Sequence, residues 1–196
     1  MNNISQIIYI ATKNPDKLKS IRRALQLITK DIKIIGIDSS LTECKETGKN
    51  SRENVLLKAK HYFNFTQYNT LAEDDSIYFN SLPHHKQPKH LAKMFVKKTV
   101  KYQNYWKNFL NKYNPKSGKI VKYFCYISQN KKIKCLGVNI PFIVTTSSKV
   151  KRSKNFINNF IIPKGFNKTL SQMDRAEKKE FSLKYIVPIL NKIFNS

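Results

Sequence analysis

Acidic residues are scarce in this chain: 12 Asp plus Glu stand against 37 Lys plus Arg, for a formal net charge of +25. Glycine is scarcer still, with five in 196 residues, and none is spaced to make a Walker-type phosphate loop. The three cysteines, Cys44, Cys125 and Cys135, are odd in number and lack metal-ligand spacing. They read as free thiols in a reducing, cytoplasmic compartment. No apolar run is long enough to span a membrane, which excludes a helical membrane protein. The start, Met1-Asn2-Asn3-Ile4-Ser5-Gln6, has neither the basic region nor the cleavage site of a secretory signal. Repeats and dividing linkers are also missing, so residues 1–196 read as a single domain with a sound core.

What is present argues for a folded protein. Forty per cent of residues are hydrophobic and 12% aromatic, too many for a disordered chain. The positive charge points to an anionic partner. However, Lys, Asn, Ile and Tyr are abundant together, as an A/T-rich coding sequence produces regardless of function. The lysines are also spread along the whole chain. Charge does not choose between a nucleic acid and a nucleotide.

Against that background Leu71-Ala72-Glu73-Asp74-Asp75-Ser76-Ile77-Tyr78-Phe79-Asn80 stands out, with three acids side by side. It reads as a buried strand breaking into an acidic turn. Adjacent carboxylates repel unless a cation or several lysines neutralise them. A hard divalent ion would do so, and a neighbouring carboxylate could then take a proton from water. The plainer reading is a solvated acidic turn matched to surrounding lysines.

The first half alternates strands and helices. Residues 6–11 read as a buried strand, and Asn14 and Pro15 as the cap and first position of a helix over 15–28. Strand, short polar loop and helix N-terminus together offer backbone N–H groups to phosphate. A second strand is expected over 32–37. Asn50 and Glu53 are expected to cap a helix over 51–65. A loop follows with His84 and His85, neighbours that rarely share a metal. A long helix over 90–113, a hairpin of 119–128 with 131–138, and a strand over 140–146 come next. Residues 147–154 read as a basic loop. Two closing helices are expected over 171–179 and 181–194, the second broken near Pro188.

Four blocks in this order resemble one family. They are Ile10-Ala11-Thr12-Lys13-Asn14-Pro15-Asp16-Lys17; Glu46-Thr47-Gly48 with Glu53-Asn54 and Lys58-Ala59; Glu73-Asp74-Asp75-Ser76; and Ile162-Pro163-Lys164-Gly165-Phe166-Asn167-Lys168-Thr169. Together they resemble the inosine triphosphate pyrophosphatase (Ham1-like) family, which hydrolyses non-canonical purine nucleoside triphosphates to monophosphate and pyrophosphate. The resemblance implies an elongated mixed α/β sheet flanked by helices, with two lobes, a central cleft and a homodimer. It also implies that Glu46, Glu73 and Asp74 hold Mg²⁺ and that Asp74 activates the attacking water. Thr12, Asn14, Lys17, Lys58 and Lys93 would bind phosphates, leaving the base to Ile157, Asn158, Ser182 and Lys184.

Departures fall on the base side. The family's stacking aromatic is Ile157 here, and its base-reading Asp is Asn158. Its Ser-His-Arg reads Ser182-Leu183-Lys184, and an ammonium does not reproduce planar, bidentate recognition. The glycine-rich turn after the acidic strand has become Leu82-Pro83-His84-His85. Two readings follow: a Mg²⁺-dependent pyrophosphatase with altered or relaxed base selectivity, or a diverged basic member that binds nucleotides or RNA with weak turnover.

Overall fold

A computed structural model describes residues 6–88, 99–145 and 156–194. It is an α/β protein built on a six-stranded sheet in the order β2-β1-β3-β4-β5-β6. Strand β1 (Gln6–Ile10) forms because its β-branched run buries Ile8 and Ile10 completely. It pairs in parallel with β2 (Ile32–Gly36), and through Tyr9↔Thr70 and Ile10↔Leu71 with β3 (Thr70–Phe79).

Helix α1 (Pro15–Gln26) links β1 to β2, and α2 (Ser51–Thr66) links β2 back past β1 to β3. Right-handed crossovers in opposite directions put the two helices on opposite faces of the sheet. The strand order therefore reverses beside β1, and crevices at such a switch point are where open α/β sheets bind ligands. Strand β3 continues past the end of β1, so Glu73 and Asp74 lie just beyond that edge.

Both predicted caps are in place. Asn14 accepts hydrogen bonds from the backbone of Asp16 at 2.9 Å and of Lys17 at 3.4 Å. Asn50 accepts one from the backbone of Glu53 at 2.9 Å, and the Glu53 carboxylate accepts one from the Lys49 N–H. Each cap satisfies N–H groups that a first helical turn leaves without a partner.

Several expectations change. The acidic triplet does not sit in a turn, because β3 runs through it, and Glu73 and Asp74 are 3% and 0% exposed. A solvated surface turn is thereby excluded. The expected strand over 140–146 is the continuation of the hairpin's second arm. The arms are β4 (Ser117–Ile127) and β5 (Ile133–Val144), and β5 also pairs antiparallel with β6 (Ile161–Pro163). Held between β4 and β6, β5 runs on through Asn139, a residue that local propensity would make a break.

At the C-terminus α4 (Arg175–Phe181) and α5 (Val187–Phe194) are separated by a π-helical turn over Ser182–Ile186. Pro188 has no N–H to give, and the Val187 N–H bonds the Ser182 carbonyl five residues back, so the wide turn takes up the break. Helix α3 (Thr99–Tyr113) is the described part of the expected 90–113 helix. Residues 89–98, with Lys93, and the basic loop at 147–154 lie outside the described residues.

The cysteines are the clearest correction. Cys125 and Cys135 face each other across the β4–β5 hairpin and form a disulfide, with Cα atoms 4.0 Å apart, while half-buried Cys44 lies outside it. No helix among the described residues is long and apolar enough to cross a membrane.

The chain divides into two compact units. The first takes in the chain up to Asp74, Lys122–Val138 and the stretch from Lys178. One of its buried clusters joins Val55, Ala59 and Tyr62 of α2 to Ala11, Ala72, Cys125 and Ile127. The second comprises Asp75–Val121 and Asn139–Glu177. There Phe79 packs against Phe109, Phe142 and Trp106 with ring centroids 5.3, 5.7 and 6.4 Å away.

Candidate active site

Side chains alternate along a strand, so consecutive Glu73 and Asp74 point to opposite faces of β3. Their partners confirm the split. Glu73 Oε1 meets Lys17 Nζ of α1 at 3.5 Å and Lys122 Nζ of β4 at 2.5 Å. Asp74 Oδ1 lies 3.6 Å from Lys58 Nζ of α2, and the same ammonium is 2.8 Å from Glu46 Oε1. Two carboxylates thus share one lysine on the α2 face, and two lysines share one carboxylate on the α1 face. All six residues belong to the first unit.

Local structure explains how Glu46 comes to sit there. The Gly48 N–H donates to the buried Asn54 carboxamide at 2.7 Å, drawing the 38–49 loop against the start of α2. A Cβ on residue 48 would come within 2.6 Å of Asn54 Oδ1 and 2.9 Å of its backbone nitrogen, so only glycine fits. Tyr62 shares a hydrogen bond with the Cys44 backbone in the same loop, and burial pushes its phenol above the ordinary tyrosine value. Lys13 reaches from the β1–α1 loop to the carbonyls of Ser39 and Leu41 at 2.8 and 2.6 Å, tying the two loops together.

Thr12 accepts the Asn14 N–H at 3.1 Å, which shapes the turn into α1. The first turn of α1 therefore stands next to Lys17 at the switch point, with its dipole favouring an anion. Sequence reasoning found Lys17, Glu46, Lys58, Glu73 and Asp74 as a group but missed Lys122, Lys13, Asn54 and Tyr62. The alternation of β4, with Cys125 and Ile127 on the α2 face, was the available signal that Lys122 faces the other way.

The remaining sequence candidates have different surroundings. Ile157 is 0% exposed and belongs to the core of the second unit, so it offers no surface to a base. We expect Ile157→Tyr to overfill that core and lower stability by about 1–3 kcal/mol in a denaturant melt. Asn158 is half-buried beside it, and next to it Asn159 buries a carboxamide whose oxygen and nitrogen make no hydrogen bond among the described residues. In the first unit the Ser182 hydroxyl donates to the Lys178 carbonyl at 2.9 Å, while Lys184 is exposed. His84 and His85 are exposed on a short 3-10 turn.

For a metal, the donor chemistry fits a hard divalent ion, since Glu46, Glu73 and Asp74 all offer carboxylate oxygens. No group of three or more His, Cys, Asp or Glu converges closely enough to hold an ion among the described residues. That still fits Mg²⁺, which is usually held by one or two carboxylates together with water and substrate phosphate. Glu46 and Asp74, already bracketing one cation, are the pair placed to do it.

A parallel switch point with a capped helix start and buried carboxylates paired with lysines defines an α/β protein with a charged site at that point. The chain belongs to the Ham1 family, whose model matches residues 8–186. It is 36% identical over 80 residues to a dITP/XTP pyrophosphatase of Dictyoglomus thermophilum, and 33% identical over 75 residues to one of Legionella pneumophila. These matches cover 39% and 38% of this chain, and the chain spans only 38% and 37% of the length of those relatives. The Ham1 protein of Staphylococcus aureus shares the fold with a TM-score of 0.74 at 16% identity, over 97% of this chain and 98% of that one.

Proposed function

We propose that the protein is an enzyme: a Mg²⁺-dependent pyrophosphatase that converts nucleoside triphosphates to monophosphate and pyrophosphate, with relaxed base selectivity. The observation that carries this reading is Lys58 held between Glu46 and Asp74 on one face of β3, with Lys17 at the start of α1 paired to Glu73 on the other. Relatives named dITP/XTP pyrophosphatases support the reaction class.

In this reading Glu46 and Asp74 would hold the metal, which would supply positive charge against that developing on the phosphoryl oxygens. Lys17 and Lys58 bind and orient the phosphate chain, with the Thr12 hydroxyl and the Asn14 carboxamide nitrogen as further donors. Asp74 accepts a proton from a water molecule as its oxygen bonds to the α-phosphorus. The bond from that phosphorus to the α–β bridging oxygen breaks, and the oxygen leaves with pyrophosphate. Such transition states depend on positioning and electrostatics more than on covalent chemistry.

Relaxed selectivity rests on Asn158, the half-buried residue that stands where the family's base-reading Asp is expected. A carboxamide offers both donors and an acceptor where a carboxylate only accepts, so it does not reject the wrong purine edge. Pyrophosphate release measured with Mg²⁺ across inosine, xanthosine, adenosine and guanosine triphosphates should give rates within about tenfold of one another. Asn158→Asp should widen the preference for the deaminated purines. A strong preference in the parent protein would show that other residues read the base. Binding of every triphosphate without pyrophosphate release would instead favour the weak-turnover, nucleotide-binding reading.

A further inference from the structure

Lys122 has no place in the phosphate site that the sequence outlines, yet its ammonium lies against the same Glu73 oxygen as Lys17. We propose that Lys122 is a further phosphate-binding lysine, held ready by Glu73 for the polyphosphate chain of the substrate. The inference rests on the phosphate-site reading above and deepens it by naming a residue.

Two features support it. Lys17 and Lys122 are 17% and 18% exposed, and Glu73 is 3% exposed. Gathering two desolvated ammoniums on one carboxylate oxygen is a poor arrangement for stability alone, since removing charges from water is costly. It is a good arrangement for a site that must receive several anionic oxygens, because the cations are preorganised and need not be recruited. Lys17 also stands in the first turn of α1, where the helix dipole favours the same anion. A polyphosphate arriving there would replace Glu73 as the partner of both lysines, and the carboxylate would act as its placeholder.

The placeholder role makes the two residues respond oppositely. Calorimetric titration with inorganic tripolyphosphate, in EDTA so that no metal contributes, should show Lys122→Met weakening binding at least about tenfold. Lys122→Arg should stay within about threefold of the parent. Glu73→Gln should bind as tightly as the parent or tighter, since it releases the lysines while keeping the side chain's shape. Thermal melts of each variant confirm that the titrated protein is folded.

If Lys122→Met binds tripolyphosphate like the parent, or if Glu73→Gln weakens binding as much as Lys122→Met, the lysine is only a counterion of a buried carboxylate and the proposal falls. In either case pyrophosphate release by the parent would leave the pyrophosphatase reading standing. Failure of the parent to bind tripolyphosphate, with or without Mg²⁺, would overturn both.

Discussion

Asp74→Asn is expected to lower kcat by about a thousandfold with Mg²⁺ and any accepted triphosphate, while the melting transition stays cooperative. The expectation comes from position. Asp74 is fully buried one residue beyond Glu73, past the edge of β1, with one oxygen 3.6 Å from Lys58. Asparagine keeps the shape and can still accept a hydrogen bond, but it cannot take a proton from water, and it is a poor ligand for a hard cation. Both deficits weigh on the transition state more than on the bound substrate, so kcat should fall further than KM rises. Wild-type rates from Asp74→Asn with every triphosphate would mean that the reacting centre lies elsewhere.

Much of this site was legible in the sequence, and the limits have physical causes. The α1 and α2 boundaries could be read because Asn14 with Pro15 and Asn50 with Glu53 are local signals acting within one turn. Scarcity also helped, since an acidic triplet in a chain of 37 cations has few structural excuses. What the triplet's own spacing did not convey is that consecutive acids on a continuous strand face opposite ways, which parts Glu73 from the Glu46–Asp74 pair. That depended on knowing that β3 does not turn at Asp75, and a paired neighbour strand decides it rather than local preference.

The cysteines show the same limit in one residue of register. A hairpin turning symmetrically about Gln129-Asn130 would set Cys125 opposite Lys134. The observed turn has Ser128 hydrogen-bonded to the Lys132 carbonyl, with Lys131 in the left-handed region at φ 60°, which sets Cys125 opposite Cys135. A slip of one residue exchanges the faces of a whole strand, so free thiols and a disulfide are separated by a single turn residue. Ile157 is a related case. A sequence match gives its place in the chain but not that its side chain points into a core.

Lys58 is where stability and function meet most directly, and Lys58→Met is expected to be the most destabilising change at the site. Its ammonium is 11% exposed and lies 2.8 Å from Glu46 and 3.6 Å from the fully buried Asp74. Methionine fills a similar volume but leaves the two carboxylates to face each other without that cation. Removing one partner from a buried ionic cluster costs about 3–5 kcal/mol, which for a chain of this length lowers Tm by roughly 10 °C. A divalent cation between Glu46 and Asp74 would supply the missing charge. Adding Mg²⁺ should therefore raise the Tm of Lys58→Met by more than it raises the parent's. Turnover should stay low even where Mg²⁺ restores the fold, because the phosphate contact proposed for the lysine is not replaced. Identical melts for Lys58→Met and the parent, with and without Mg²⁺, would remove Glu46 and Asp74 as the metal pair.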